Sequence, residues 1–137
     1  MSYTANCLCG GVKFHLSGEL ASIQVCHCVQ CRKAQGTAFA CNIPIARADF
    51  HFDSGADLLT EYESSPGKKR AFCSRCGSPI YSRRDAQPDA LRIRAGLINE
   101  PLAVRPVAHF YTAHQANWWA IADQLPRFAQ AYTPPEK

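Results

Sequence analysis

Short runs of alternating apolar and polar residues recur along the chain, the pattern of strands with one face buried. In Gly11-Val12-Lys13-Phe14-His15-Leu16, the apolar Val12, Phe14 and Leu16 share a face, as do Phe39, Cys41 and Ile43 in the run Thr37 to Ile43. Further runs lie around Asp49 to Phe52, Leu58 to Tyr62, Ile80 to Arg83 and Leu91 to Ala95, separated by turn signals such as Asp53-Ser54-Gly55 and Ser64-Ser65-Pro66-Gly67. Cys28 to Gln35 has room for at most two helical turns before Gly36 stops them. Lys68-Lys69-Arg70 reads as a solvated turn after Pro66-Gly67. Towards the C-terminus Pro101, Pro106 and Pro126 break the chain into short pieces, with His109 a hydrogen-bonded packing residue and Trp118 and Trp119 covering the core or a pocket edge. The pattern predicts a mainly β chain.

At 137 residues and 47% hydrophobic content the chain fits one domain with a modest core, over 1–132, with 133–137 as a disordered tail. No stretch nears the roughly 18 apolar residues needed to cross a bilayer. The opening Met1-Ser2-Tyr3-Thr4-Ala5-Asn6 has no basic region, apolar core or cleavage site, so the eight cysteines are expected to be reduced and the protein cytoplasmic. The formal charge of +4 counts every thiol as neutral. Seven thiolates against two divalent ions would take three units from that +4 and leave +1, too little to argue for a nucleic-acid partner.

The densest chemistry is Cys26-His27-Cys28-Val29-Gln30-Cys31-Arg32-Lys33, three thiols within six residues and then two cations. Bare thiolates so close would repel one another, and Zn²⁺ removes the conflict by accepting sulfur ligands. Three protein ligands and an open position are the arrangement of a catalytic zinc, whereas a structural zinc is normally closed by four. Cys41, flanked on its own face by Phe39 and Ile43, reads as a small buried apolar side chain, the rival being a fourth ligand to the central metal. Cys73-Ser74-Arg75-Cys76-Gly77 is a C-x-x-C turn followed by glycine, a strong zinc-knuckle signal. The C-x-C turn Cys7-Leu8-Cys9, whose following glycines let amides approach sulfur, would supply the other two ligands of a structural zinc. A thioredoxin-like redox pair is the alternative for Cys73 and Cys76, but no βαβ pattern surrounds them.

Taken together, Cys7-Leu8-Cys9-Gly10-Gly11-Val12, Cys26-His27-Cys28 with Cys31-Arg32-Lys33 and Gly36, Phe72-Cys73 with Cys76-Gly77-Ser78-Pro79, and His109-Phe110 ahead of Trp118 and Leu125-Pro126 resemble the glutathione-dependent formaldehyde-activating enzyme and centromere protein V family. The resemblance implies a β-tent fold of several small twisted antiparallel sheets. It also implies a structural zinc at Cys7, Cys9, Cys73 and Cys76 and a catalytic zinc at Cys26, Cys28 and Cys31. The implied activity is that of a carbon–sulfur lyase, joining a small thiol such as glutathione to a small aldehyde, or parting them. By adjacency to these cysteines Arg32 and Lys33 are candidates to lie beside the substrate, Arg32 as a partner for glutathione carboxylates, the alternative being that both are solvated helix residues. Two other classes stay open: a zinc-stabilised binding module, and a cysteine redox enzyme like the methionine sulfoxide reductases of similar fold.

Overall fold

The computed structural model describes residues 2–131, so the tail expected from residue 133 lies outside the described residues. Alternation does what it predicts in β2 (Lys13–Ser17), where Phe14 and Leu16 are fully buried between half-exposed neighbours. The strand lies between β1 (Ser2–Asn6) and β5 (Phe50–Ser54) in a three-stranded antiparallel sheet. The remaining strands are β3 (Ile23–Cys26), β4 (Ala40–Ala46), β6 (Leu59–Ser65), β7 (Lys68–Cys73), β8 (Pro79–Arg84), β9 (Ala90–Arg94) and β10 (Pro106–Phe110). They form one seven-stranded sheet in the order β10-β3-β4-β9-β8-β7-β6. All its pairings are antiparallel except β10 with β3, which is parallel. The expected mainly β architecture is thus met, with most of the strands gathered into one larger sheet.

Phe14 and Leu16 pack with Tyr3 and Val12 against Ile80, Tyr81 and Ile93 of the large sheet, and Phe14 stacks on Phe50 at 4.7 Å. Burying side chains of this size contributes about 2–3 kcal/mol each. Gly55, at φ +80°, lies so close to the Gly11 carbonyl that any Cβ would overlap it, which fixes the approach of the loop after β5 to the first cysteine turn.

One helix, α1 (Val29–Gln35), has the two turns expected. The Cys28 sulfur accepts from the Cys31 amide at 3.2 Å at its start, and Gly36, left-handed at φ 66°, donates to the Arg32 carbonyl at its end. The reading of Lys68-Lys69-Arg70 as a turn is overturned. These residues open β7, because Pro66 and left-handed Gly67 complete the reversal by themselves and Ser65 already pairs with Lys68. Trp118 and Trp119 stay largely exposed, Trp119 meeting Phe39 edge-on at 5.9 Å.

On the far face of the β6–β8 hairpins, Glu61 accepts from Arg83 at 2.7 and 2.8 Å and from the Tyr81 hydroxyl at 3.1 Å. Arg83 is the main reason its carboxyl sits below its usual 4.5. A depressed folded-state pKa adds stability above the unfolded value and loses it as pH falls through the folded one. Glu61→Gln should cost about 0.5–1 kcal/mol at pH 7, lowering Tm by about 2–5 °C. Thermal melts should show that gap closing as the pH drops below about 4.5.

Candidate metal centres and the cavity beside them

The outer cysteines come from two turns far apart in sequence. Cys7 and Cys9 flank the turn between β1 and β2, while Cys73 ends β7 and Cys76 follows it. Their four sulfurs lie within 4.8 Å of one another, with Cys7 3.6 Å and Cys73 3.8 Å from Cys9. Sulfurs held roughly 2.3 Å from a tetrahedral zinc would stand about 3.8 Å apart, so the set fits Zn²⁺. Such spacings are far too long for disulfides, and all eight cysteines are free thiols. The backbone is turned to serve anionic sulfur: Val12 N–H reaches the Cys7 sulfur at 3.2 Å and Gly11 N–H the Cys9 sulfur at 3.4 Å. The Ser78 hydroxyl and amide hold the Cys76 thiol down to about 5, and the same hydroxyl accepts from Leu8 N–H at 2.9 Å, joining the two turns.

Cys26 at the end of β3, Cys28 capping α1 and Cys31 in its first turn form a second group, again with sulfurs within 4.8 Å. The three crowd one another's charge. Hydrogen bonds from Cys26 and Cys28, with the Arg70 guanidinium 3.6 Å away, favour the thiolate at Cys31, whereas Cys28, Cys31 and burial push the Cys26 thiol up. Three sulfurs that cannot all ionise together, and that line a cavity, fit a divalent cation. Cys41 is not part of this group. Its neighbours on β4, Ala40 opposite Cys26 and Asn42 in the cavity lining, hold the other face, so strand alternation sends Cys41 away from the site.

The cavity, about 300 Å³, has Cys26, Cys28 and Cys31 on one side, with Lys68, Arg70, Arg84 and Arg92 facing them from β7, β8 and β9. Asn42, Ser82, Tyr111 and His114 complete much of the lining, and none of the outer four cysteines belongs to it. Tyr111 is the one non-glycine among the described residues at positive φ (56°), a strained conformation that packs it against the cysteine group. Arg32 and Lys33, expected beside the substrate, are not among the lining residues. Arg32 lies on α1 with its Nε buried and unpartnered. Arg70, placed by strand pairing, is the cation that meets Cys31 instead.

Beside the cysteines two buried histidines lead to an exposed carboxylate, a chain that sequence reading passed over. His27 Nε2 lies 2.8 Å from His109 Nδ1, and His109 Nε2 lies 2.9 Å from the Asp123 carboxylate. Because the carboxylate accepts, His109 donates from Nε2, leaving its Nδ1 to accept from His27. The His27 Nδ1 is then a buried lone pair with no partner among the described residues. Burial, with His109 adding to it, keeps the His27 imidazole neutral by lowering its pKa. His109 is therefore the hydrogen-bonded packing residue expected, and the missed signal was His27 itself, sitting between two ligand-type cysteines.

Residues 2–114 match the sequence profile of the glutathione-dependent formaldehyde-activating enzyme. The chain belongs to that family. A Halomonas elongata protein provisionally named glutathione-dependent formaldehyde-activating enzyme is 30% identical over 130 residues, covering 88% of this chain and 82% of its own length. A Fusarium vanettenii protein with the same provisional name is 30% identical over 77 residues, 56% of this chain and 41% of its own. The crystal structure of a Rhodobacter sphaeroides protein superposes with a TM-score of 0.61 at 23% identity, covering 76% of this chain and 99% of that one, a likeness of fold. Asp123 lies beyond the part that matches the family profile, so the His27–His109–Asp123 chain fastens a later segment onto a family core.

Cys76→Ser should leave the protein aggregated or without a cooperative melt, since breaking a closed four-sulfur site removes folding energy on the order of 10 kcal/mol; a soluble variant with a sharp transition would break the assignment of this set. Asp123→Asn should weaken the hold on His109 and speed amide exchange at Phe128, whose N–H bonds the His109 carbonyl at 2.9 Å.

Proposed function

We propose that this family member is a zinc-dependent enzyme of carbon–sulfur lyase type that forms or cleaves an adduct between a small thiol such as glutathione and a small aldehyde. One observation carries the reading: the three-cysteine group lines the cavity of about 300 Å³, and none of the four outer cysteines belongs to that lining. Cys7, Cys9, Cys73 and Cys76 would hold a structural Zn²⁺, and Cys26, Cys28 and Cys31 a catalytic one. Bound at the central three, zinc would favour the thiolate form of a substrate sulfur at neutral pH and polarise a carbonyl oxygen.

The chain's own groups do the rest. Adduct formation makes a carbon–sulfur bond, and the proton the thiol gives up ends on the former carbonyl oxygen. His114, the imidazole in the lining, is the side chain placed to exchange that proton. Arg70, bonded at once to Cys31, Gln30 and Ser64, fixes positive charge beside the sulfurs, as does Arg94, buried and bonded to Asn42. Together they limit the excess negative charge of three thiolates around one divalent ion. The His27–His109–Asp123 chain holds the Cys26–Cys28 backbone from behind. Eight free thiols suit a reducing, cytoplasmic setting.

Cys28→Ser should abolish turnover while the protein stays folded and keeps the outer metal, because those four ligands lie elsewhere. The measurement is formation of a glutathione–aldehyde adduct, across several aldehydes and thiols, with metal content assayed alongside. Equal rates for the two proteins, or no acceleration by wild type over the spontaneous reaction, would replace the enzyme with a binding module.

A further inference from the structure

Register explains why so many cations face one opening. Lys68 pairs with Arg84, Arg70 with Ser82 and Ser82 with Arg92, so strand alternation puts all of them on the cavity face of β7, β8 and β9. Like charges directly opposite one another weaken a sheet. The other face of the same strands avoids that cost: Lys69 bonds Asp85 at 2.8 and 2.9 Å, and Arg83 bonds both Glu61 and Asp85. On the cavity face Arg70 is occupied by Cys31, Gln30 and Ser64.

Lys68, Arg84 and Arg92 are left over. Among the described residues none of the three joins the salt bridges, and no aspartate or glutamate lines the cavity. Lys68 is moreover only 7% exposed. Burial, reinforced by Arg92, Arg84 and Arg70, pulls its ammonium down to about 8. A lysine held that way, under two arginines at the rim, is destabilising until an anion arrives between them. Arginine forks suit the paired oxygens of a carboxylate or phosphate, and the buried lysine adds a point charge beneath.

We infer that Lys68, Arg84 and Arg92 form a subsite for a small dianion, two carboxylates or a phosphate group, and that the same subsite disfavours a ligand whose only charge is an ammonium group, for which the cavity offers no carboxylate. That the dianion belongs to the molecule whose sulfur or carbonyl meets Cys26, Cys28 and Cys31 rests on the thiol–carbonyl reading above. The subsite sets specificity and takes no part in bond making.

The test is calorimetric titration of the zinc-loaded full chain at constant ionic strength. Two sulfur-free probes, succinate and inorganic phosphate, separate the two sources of dianion. Mercaptosuccinate, 2-mercaptoethanol and cysteamine then vary charge on a common thiol. At least one dianion should bind, Arg84→Gln and Arg92→Gln should each weaken it about tenfold, and Lys69→Met, an equal charge change on the opposite face, should move it less than about twofold. Mercaptosuccinate should outbind 2-mercaptoethanol and cysteamine should trail both, with the spread collapsing in Arg92→Gln. Binding of neither dianion, displacement by chloride at equal concentration, or a Lys69→Met loss matching that of Arg84→Gln overturns the subsite. Dianion binding without any thiol–aldehyde adduct leaves the subsite standing and removes the lyase reading. Adduct formation indifferent to ligand charge does the reverse.

Discussion

Crowded sulfur is the constraint on which everything else rests. Two groups of thiols are held with their sulfurs within 4.8 Å, a spacing at which they cannot all be anions unless a cation joins them. The fold supplies what such groups need. Amides of Gly11 and Val12 point at sulfur in the outer group, and Arg70 points at sulfur in the central one. The outer group ties the three-stranded sheet to the large one at a place where Phe14, Leu16 and Ile80 already pack. The central group sits at the junction of β3 and α1, where packing stops and a cavity begins. Similar groups of sulfur thus stand once within the packed core and once against a cavity.

The charge distribution follows the same division. Where sheet faces meet solvent, Lys69 and Arg83 are matched with Glu61 and Asp85, exposed pairs of modest worth. Where the sheet faces the central cysteines, arginines and a buried lysine stand without carboxylates. Positive charge there offsets thiolate charge at one end of the cavity and is left free at the other. The cavity therefore has a polarity: sulfur and whatever it binds at one side, a basic wall at the other.

Much of this was legible in the sequence. Alternation located β2, β5, β6, β8 and β9 to within a few residues, and Gly36 marked the end of α1, because each is a local signal. The two cysteine groups were legible from spacing, since C-x-C and C-x-x-C turns bring sulfurs together with little help from the rest of the fold. The basic wall was not. Lys68-Lys69-Arg70 carries too much charge to look like a strand, and only pairing with β8 shows that two of its three cations share a face with Arg84 and Arg92. Arg32 and Lys33 looked promising because adjacency in sequence was the one available guide, but neither is among the residues that line the cavity. The His27–His109–Asp123 chain depends on the parallel contact of β10 with β3, which no local pattern announces.

That parallel contact bears on how the protein is made. His27 and its partner His109 are 82 residues apart, and β3 leaves the ribosome long before β10. Early in that interval Cys26, Cys28 and Cys31 lack the wall of β7 to β9, and to its end they lack the C-terminal segment. The central site is completed last although its cysteines are made early. A nascent chain must therefore keep its thiols reduced, and away from adventitious metals, until Asp123 has emerged to fasten the segment behind them.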